Sequence, residues 1–287
     1  MVATQTDMRL DDLEESQNVE DRRGSGRGRG AAVGGIGTII ILVAVMFFGA
    51  PKELLELVGG QGGPVASAPA SPEDDQLAVL VKKVLRSTEL VWASEFEKLR
   101  RPYQPPKLVI FSGQVQSGCG TADAGVGPFY CPADQTVYID LSFYRELKQR
   151  FGAPGDFAQA YVIAHEIGHH VQHELGLSRP LDEARGRVSE SQQNALSVRL
   201  ELQADFLAGL WARKQNDQTR FLEPGDIEEA MRAAKAIGDD ALQRQATGHV
   251  VPDSFTHGTS EQRMRWFMKG YQSGDIRQGD TFSAREL

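Results

Sequence analysis

The sequence predicts an α+β protein: a mainly helical domain with a small β-sheet, preceded by one transmembrane helix. Three observations lead there. Ala31 to Ala50 is an uncharged run of twenty residues, long enough to cross about 30 Å of hydrocarbon. Beyond it, helix caps and apolar residues at three- and four-residue spacing dominate the chain. Only two short segments, Lys107 to Ser112 and Thr136 to Leu141, gather β-forming residues.

The elements follow in order. Residues 1–30 form an acidic, Gly/Arg-rich tail, and residues 31–50 form the membrane helix, whose partner is the lipid bilayer. Arg22, Arg23, Arg27 and Arg29 precede the apolar run while only Lys52 follows closely. The excess of positive charge places the N-terminus in the cytoplasm and the rest of this single-pass chain outside it. A cleaved signal peptide competes, but its apolar core runs about 7–15 residues and its leader is shorter than this tail. Residues 51–72 form a linker, rich in Gly, Pro, Ala and Ser from Gln61 onward. Residues 73–287 then suffice for one domain with its own core.

Within that domain, Ser71-Pro72-Glu73-Asp74 supplies an N-cap, a proline at the first helical position and acids in the first turn. The helix runs to about Arg100, before Pro102. After the two strands, with a Cys-bounded loop between them, helices are expected near Phe143–Phe151, Phe157–His173, Val188–Gln215, Asp226–Ile237, Asp239–Ala246 and Ser260–Gln272. Ile163, Ile167 and Val171 form an apolar stripe on the second of these, and Gly168 admits a close neighbour. Cys119 and Cys131 would pair as a disulfide in an oxidising compartment. Free thiols would require the opposite topology. The net charge of −8 and the pI near 5.3 argue against nucleic acid as the main partner.

The chemistry is concentrated in His165-Glu166-Ile167-Gly168-His169. Residues four apart share one helix face, so His165 and His169 can hold one Zn2+ ion with Glu166 beside them as general base. A catalytic zinc takes a third protein ligand and leaves one position open. Glu201 is the candidate for that ligand, and Asp205, one turn later, can accept the free N–H of a ligand histidine. Against this stands the reading of Glu201 and Asp205 as solvated helix carboxylates. The His169 and His173 pair lacks an acid after its first histidine, His170 is not assigned to the pair, and His249 has no constellation around it.

These residues resemble the gluzincin arrangement of thermolysin and of CAAX prenyl proteases. More closely, Cys119-Gly120, Gly127 to Pro132, Val137 to Leu141, His165 to His170, Glu201 to Asp205 and Phe255 to Thr259 resemble the bacterial neutral zinc metallopeptidase family. Members often carry cysteine after the Ala-Asp pair, where this chain has Phe206. The resemblance implies a zincin-like fold binding one Zn2+ per chain. It implies that His257 is catalytic, steadying the oxyanion, and that Arg263 orients it or supports substrate. It also implies an edge strand, for which Val137 to Leu141 is the candidate, that binds extended peptide by β-augmentation. The expected function is that of a membrane-anchored, extracytoplasmic zinc endopeptidase acting on extended or unfolded polypeptide. The competing readings are a catalytically silent zinc-containing binding or chaperone module, and hydrolysis of a non-peptide amide such as a cell-wall component.

Overall fold

The computed structural model describes residues 8–10, 12–23 and 71–287. The apolar run 31–50 and the linker up to residue 70 lie outside the described residues. Among the described residues no helix is long and apolar enough to cross a membrane. The described residues divide into a unit built mainly of helices, within residues 1–17, 79–105 and 144–287, and a unit holding the sheets, within residues 18–78 and 106–143.

The sheet unit uses strands β1 (Val19–Asp21), β2 (Lys107–Phe111), β3 (Gln114–Ser117), β4 (Gly120–Asp123), β5 (Phe129–Cys131) and β6 (Thr136–Asp140). Its four-stranded sheet has the order β1-β2-β6-β5, and β3 and β4 form a separate antiparallel hairpin. β1 runs parallel to β2, with Val19 opposite Leu108 and Asp21 opposite Ile110. β2 is parallel to β6, and β5 closes on β6 antiparallel. The sequence placed Val19–Asp21 in a tail separate from the domain; here these residues are one edge of its sheet.

A second correction concerns Val137 to Leu141. This segment is not an edge strand: β6 lies between β2, which pairs with all five of its residues, and β5, which pairs with Thr136, Val137 and Tyr138. Its near-continuous apolar run marks a strand covered on both faces, whereas an exposed strand alternates. All five residues of β6 are buried. The Cys-bounded segment, expected as a loop, supplies β4 and β5, while β3 precedes Cys119. Cys119 and Cys131 form a disulfide with Cα atoms 5.8 Å apart. It joins a core of Val109, Phe111, Val115, Phe129 and Tyr138, in which the Phe129 and Tyr138 rings stack at 4.9 Å.

The helices are α1 (Pro72–Lys98), α2 (Ser142–Gln149), α3 (Asp156–Leu175), α4 (Arg179–Ala184), α5 (Glu190–Thr219), α6 (Asp226–Ala236), α7 (Asp239–Thr247) and α8 (Ser260–Ser273). Helix α4 had no counterpart among the expected elements. Reciprocal bonds between Ser71 and Asp74 start α1, and capping boxes at Ser189 and Thr259 start α5 and α8. Gly176, at φ 71°, closes α3.

Helix α3 is covered nearly all round, on the apolar stripe and on the histidine face alike: of Phe157 to Gln172 every residue but Gln159 is buried. Close helix approach makes this possible. A Cβ at Gly168 would stand 3.0 Å from the Ala204 carbonyl oxygen on α5. Gly209 on α5 and Gly270 on α8 each face backbone of the other helix so closely that a Cβ would lie 2.0 Å from a carbonyl oxygen. Around Trp211, whose Nε1 donates to Ser87 Oγ at 2.7 Å, pack the rings of Phe157 and Phe221.

The N-terminal residues belong to this unit as well. Met8 and Leu10 are buried. The Met8 amide donates to Asp156 at 2.7 Å, the Arg9 amide to the Phe221 carbonyl at 2.8 Å, and Ser16 Oγ to Glu89 at 2.6 Å.

Candidate metal centre

Helix α3 presents His165 and His169 one turn apart, and α5 brings Glu201 to them because Gly168 lets the two helices approach at Ala204. One ligand atom from each of the three residues lies within 4.8 Å of the others, and all three residues are buried. His165 Nε2 stands 3.2 Å from one Glu201 oxygen, and His169 Nε2 stands 3.5 Å from the other. A tetrahedral zinc with bonds of about 2.0 Å has ligand-to-ligand edges of about 3.3 Å. The donor set, its spacing and its burial therefore fit that ion.

The outer nitrogens of both histidines are held. His165 Nδ1 donates to Asp205 Oδ1 at 2.8 Å, and His169 Nδ1 donates to Gln172 Oε1 at 2.8 Å. Each bond fixes the tautomer that leaves Nε2 facing the metal position. Gln172 was not singled out from the sequence. It also donates to the Leu200 carbonyl at 2.7 Å and to Gln203 at 3.1 Å, so it ties one ligand to the helix carrying another. Its signal lay in the spacing: three residues after His169, it shares that helix face.

Asp205 is fully buried and anchors a network. Tyr161 donates to it at 2.6 Å, and Arg263 donates through Nε at 2.9 Å and Nη2 at 3.0 Å. Arg263 Nη1 reaches the Ile237 carbonyl at 3.2 Å, and the residue is 2% exposed. The resemblance suggested that Arg263 contacts substrate or orients His257; its guanidinium instead grips Asp205 and Tyr161 and acts on the site through them. Against burial, Arg263 and His165 hold the Asp205 carboxyl down at about 2.

Charge in the centre is tightly coupled. Burial opposes a proton on His165, but Asp205 and Glu201 outweigh it and raise the imidazole to about 10. Glu201 stays well below the usual carboxylate range despite burial, because His169, His257 and His165 stabilise its charge. Glu166 shifts upward, chiefly through burial, which its histidine neighbours only partly offset. A raised carboxyl suits a proton acceptor working near neutral pH.

His257 is half-buried on the segment before α8. Asp239 accepts the backbone N–H groups of Thr256, His257 and Gly258 at 2.8, 2.6 and 2.9 Å, and lies 3.2 Å from His257 Nδ1. Glu201 and Asp239 raise the imidazole above its ordinary range against the opposing effect of burial. The sequence marks Asp239 only as the start of a helix; it lies 18 residues from His257 in the chain. His170 is buried, held at 2.7 Å by the Gln104 carbonyl, and burial lowers it to about 4. Asp156, Asp226 and Glu229 gather into a second acidic group, in which Glu229 accepts the Phe157 amide at the start of α3 and Asp156 accepts that of Met8.

Comparison with known proteins gives a consistent picture. An Escherichia coli protein, "Uncharacterized protein YpfJ", is 47% identical over 288 residues, covering 96% of this chain and 99% of that one. "Uncharacterized protein Rv2575" of Mycobacterium tuberculosis and "Uncharacterized protein Mb2605" of Mycobacterium bovis are each 45% identical over 213 residues, covering 70% of this chain and 69% of theirs. No solved structure matches. A family model described as "Putative neutral zinc metallopeptidase" matches residues 8–282, from the N-terminal segment through α8, and the chain belongs to that family.

Proposed function

We propose that the protein is a zinc-dependent endopeptidase that cleaves extended or unfolded polypeptide, attached to a bilayer through residues 31–50. The observation that carries the reading is the approach of His165, His169 and Glu201 with both outer imidazole nitrogens already engaged. His165, His169 and Glu201 would hold the zinc, which would supply a Lewis acid to polarise a carbonyl and acidify water.

The chain's own residues do the rest. Glu166, next to His165 and not in the ligand group, takes the proton of the attacking water and returns it to the departing amine. His257, whose Nδ1 lies against Asp239 and whose imidazole Glu201 and Asp239 raise above its ordinary range against burial, donates from Nε2 to the oxygen on which negative charge develops. Asp205 and Gln172 hold the ligand imidazoles in the orientation that metal binding requires.

The test uses the full chain in detergent, because residues 8–23 are part of the fold. Wild type and Glu166→Gln are loaded with zinc, their metal content is measured, and both are given unfolded casein. Cleavage by wild type, lost in Glu166→Gln at equal zinc content, is expected. A zinc-loaded wild type that cleaves nothing, or a variant as active as wild type, would overturn the assignment.

A further inference from the structure

Residues 8–23 precede the apolar run and residues 71–287 follow it, so a single crossing at 31–50 would set them on opposite faces of the membrane. The fold brings them together at every level. β1 pairs with β2 along its length, with the Leu108 amide bonded to the Asn18 carbonyl at 2.9 Å and the Arg22 amide to the Ile110 carbonyl at 2.8 Å. In the helical unit, Met8, Arg9 and Ser16 bond to Asp156, Phe221 and Glu89, Lys83 Nζ reaches the Leu10 carbonyl at 2.9 Å, and Lys82 reaches Glu15 at 3.0 Å.

Where the connecting segment leaves and returns is equally informative. Arg23 Nη2 lies 3.1 Å from Asp75 Oδ1, so the last described residue before the gap touches the first turn of α1, the helix that follows it. The connection begins and ends at one place. Strand pairing and buried hydrogen bonds need both partners in the same aqueous compartment.

We propose that residues 8–23 and residues 71–287 occupy the same side of the membrane, and that the N-terminal segment is a structural part of the domain. The arginines before the apolar run then no longer fix the domain on the opposite face. The Cys119–Cys131 disulfide points to the oxidising side for both segments.

The experiment places single cysteines at exposed Gln17 and exposed Arg187, as Gln17→Cys and Arg187→Cys in the full chain. Right-side-out and inverted membrane vesicles are treated with a membrane-impermeant maleimide. The unsubstituted chain sets the background, and detergent-solubilised samples confirm that both thiols react. Labelling of both positions in the same vesicle orientation is expected; labelling in opposite orientations overturns the proposal. Amide hydrogen exchange on the purified full chain gives an independent reading: protection of residues 19–22 matching that of β2 is expected, and exchange at the unfolded rate in residues 19–22 overturns it.

Discussion

Gln172 Oε1 lies 2.8 Å from His169 Nδ1, while the same side chain's Nε2 donates to the Leu200 carbonyl, one residue before Glu201. One amide therefore orients a candidate ligand on α3 and registers it against the helix that supplies another. Partners of this kind typically contribute 10- to 100-fold in metal affinity. Gln172→Leu should weaken zinc binding by about that factor, as measured by competition with a chromophoric chelator. Gln172→Glu, which still accepts from Nδ1, should retain most of the affinity. Equal affinity in wild type and Gln172→Leu would remove Gln172 from the metal centre.

His257 should matter for turnover and not for metal. Loss of one donor to a developing oxyanion costs about 100-fold or more in kcat, so His257→Ala should lose that much casein cleavage while binding zinc as wild type does. Asp239→Ala frees the three amides it holds and should lower kcat in the same direction, with KM less affected. Unchanged kcat in both variants would leave His257 as a loop residue alone.

Arg263 distinguishes a structural role from substrate binding. Arg263→Met leaves the Asp205 carboxylate buried without its main partner, and breaking such a pair costs about 3–5 kcal/mol. The melting temperature should fall sharply even in the metal-free protein. A substrate contact would instead raise KM and leave the melting temperature where it was.

Asp226 sets a pH dependence. Burial, then its Asp156, Glu229 and Glu223 neighbours, raise its carboxyl from 3.8 to about 7, while the Glu223 amide it accepts acts the other way. A raised carboxyl binds its proton more tightly in the folded state, so its contribution to stability is complete below about pH 3.8 and is lost as pH rises through about 7. Asp226→Asn keeps the acceptor for the Glu223 amide without the charge. At pH 8 it should be more stable than wild type by about 2 kcal/mol after allowance for solvent screening, and near pH 4 the two should converge. Parallel thermal melts of the two chains at both pH values decide it; a gain at pH 4 as large as that at pH 8 would refute the mechanism.

The sequence by itself determined what depends on neighbours along the chain. Helical spacing put His165, Glu166 and His169 together on α3, the Ser71 start marked α1, and the lone pair of cysteines limited the disulfide to one choice. Glu201 and Asp205 followed from what a metal-binding pair lacks. Tertiary structure decided the partners that no spacing encodes. Arg263 turned toward Asp205 because that buried carboxylate needs a cation, β6 became an inner strand because β2 and β5 both pair with it, and Asp239 met His257 through the segment between α7 and α8. The N-terminal segment is the clearest case. Its charged composition reads as a solvated tail, yet β1 needs only backbone groups to join β2, and hydrogen bonding through the main chain leaves little trace in the order of side chains.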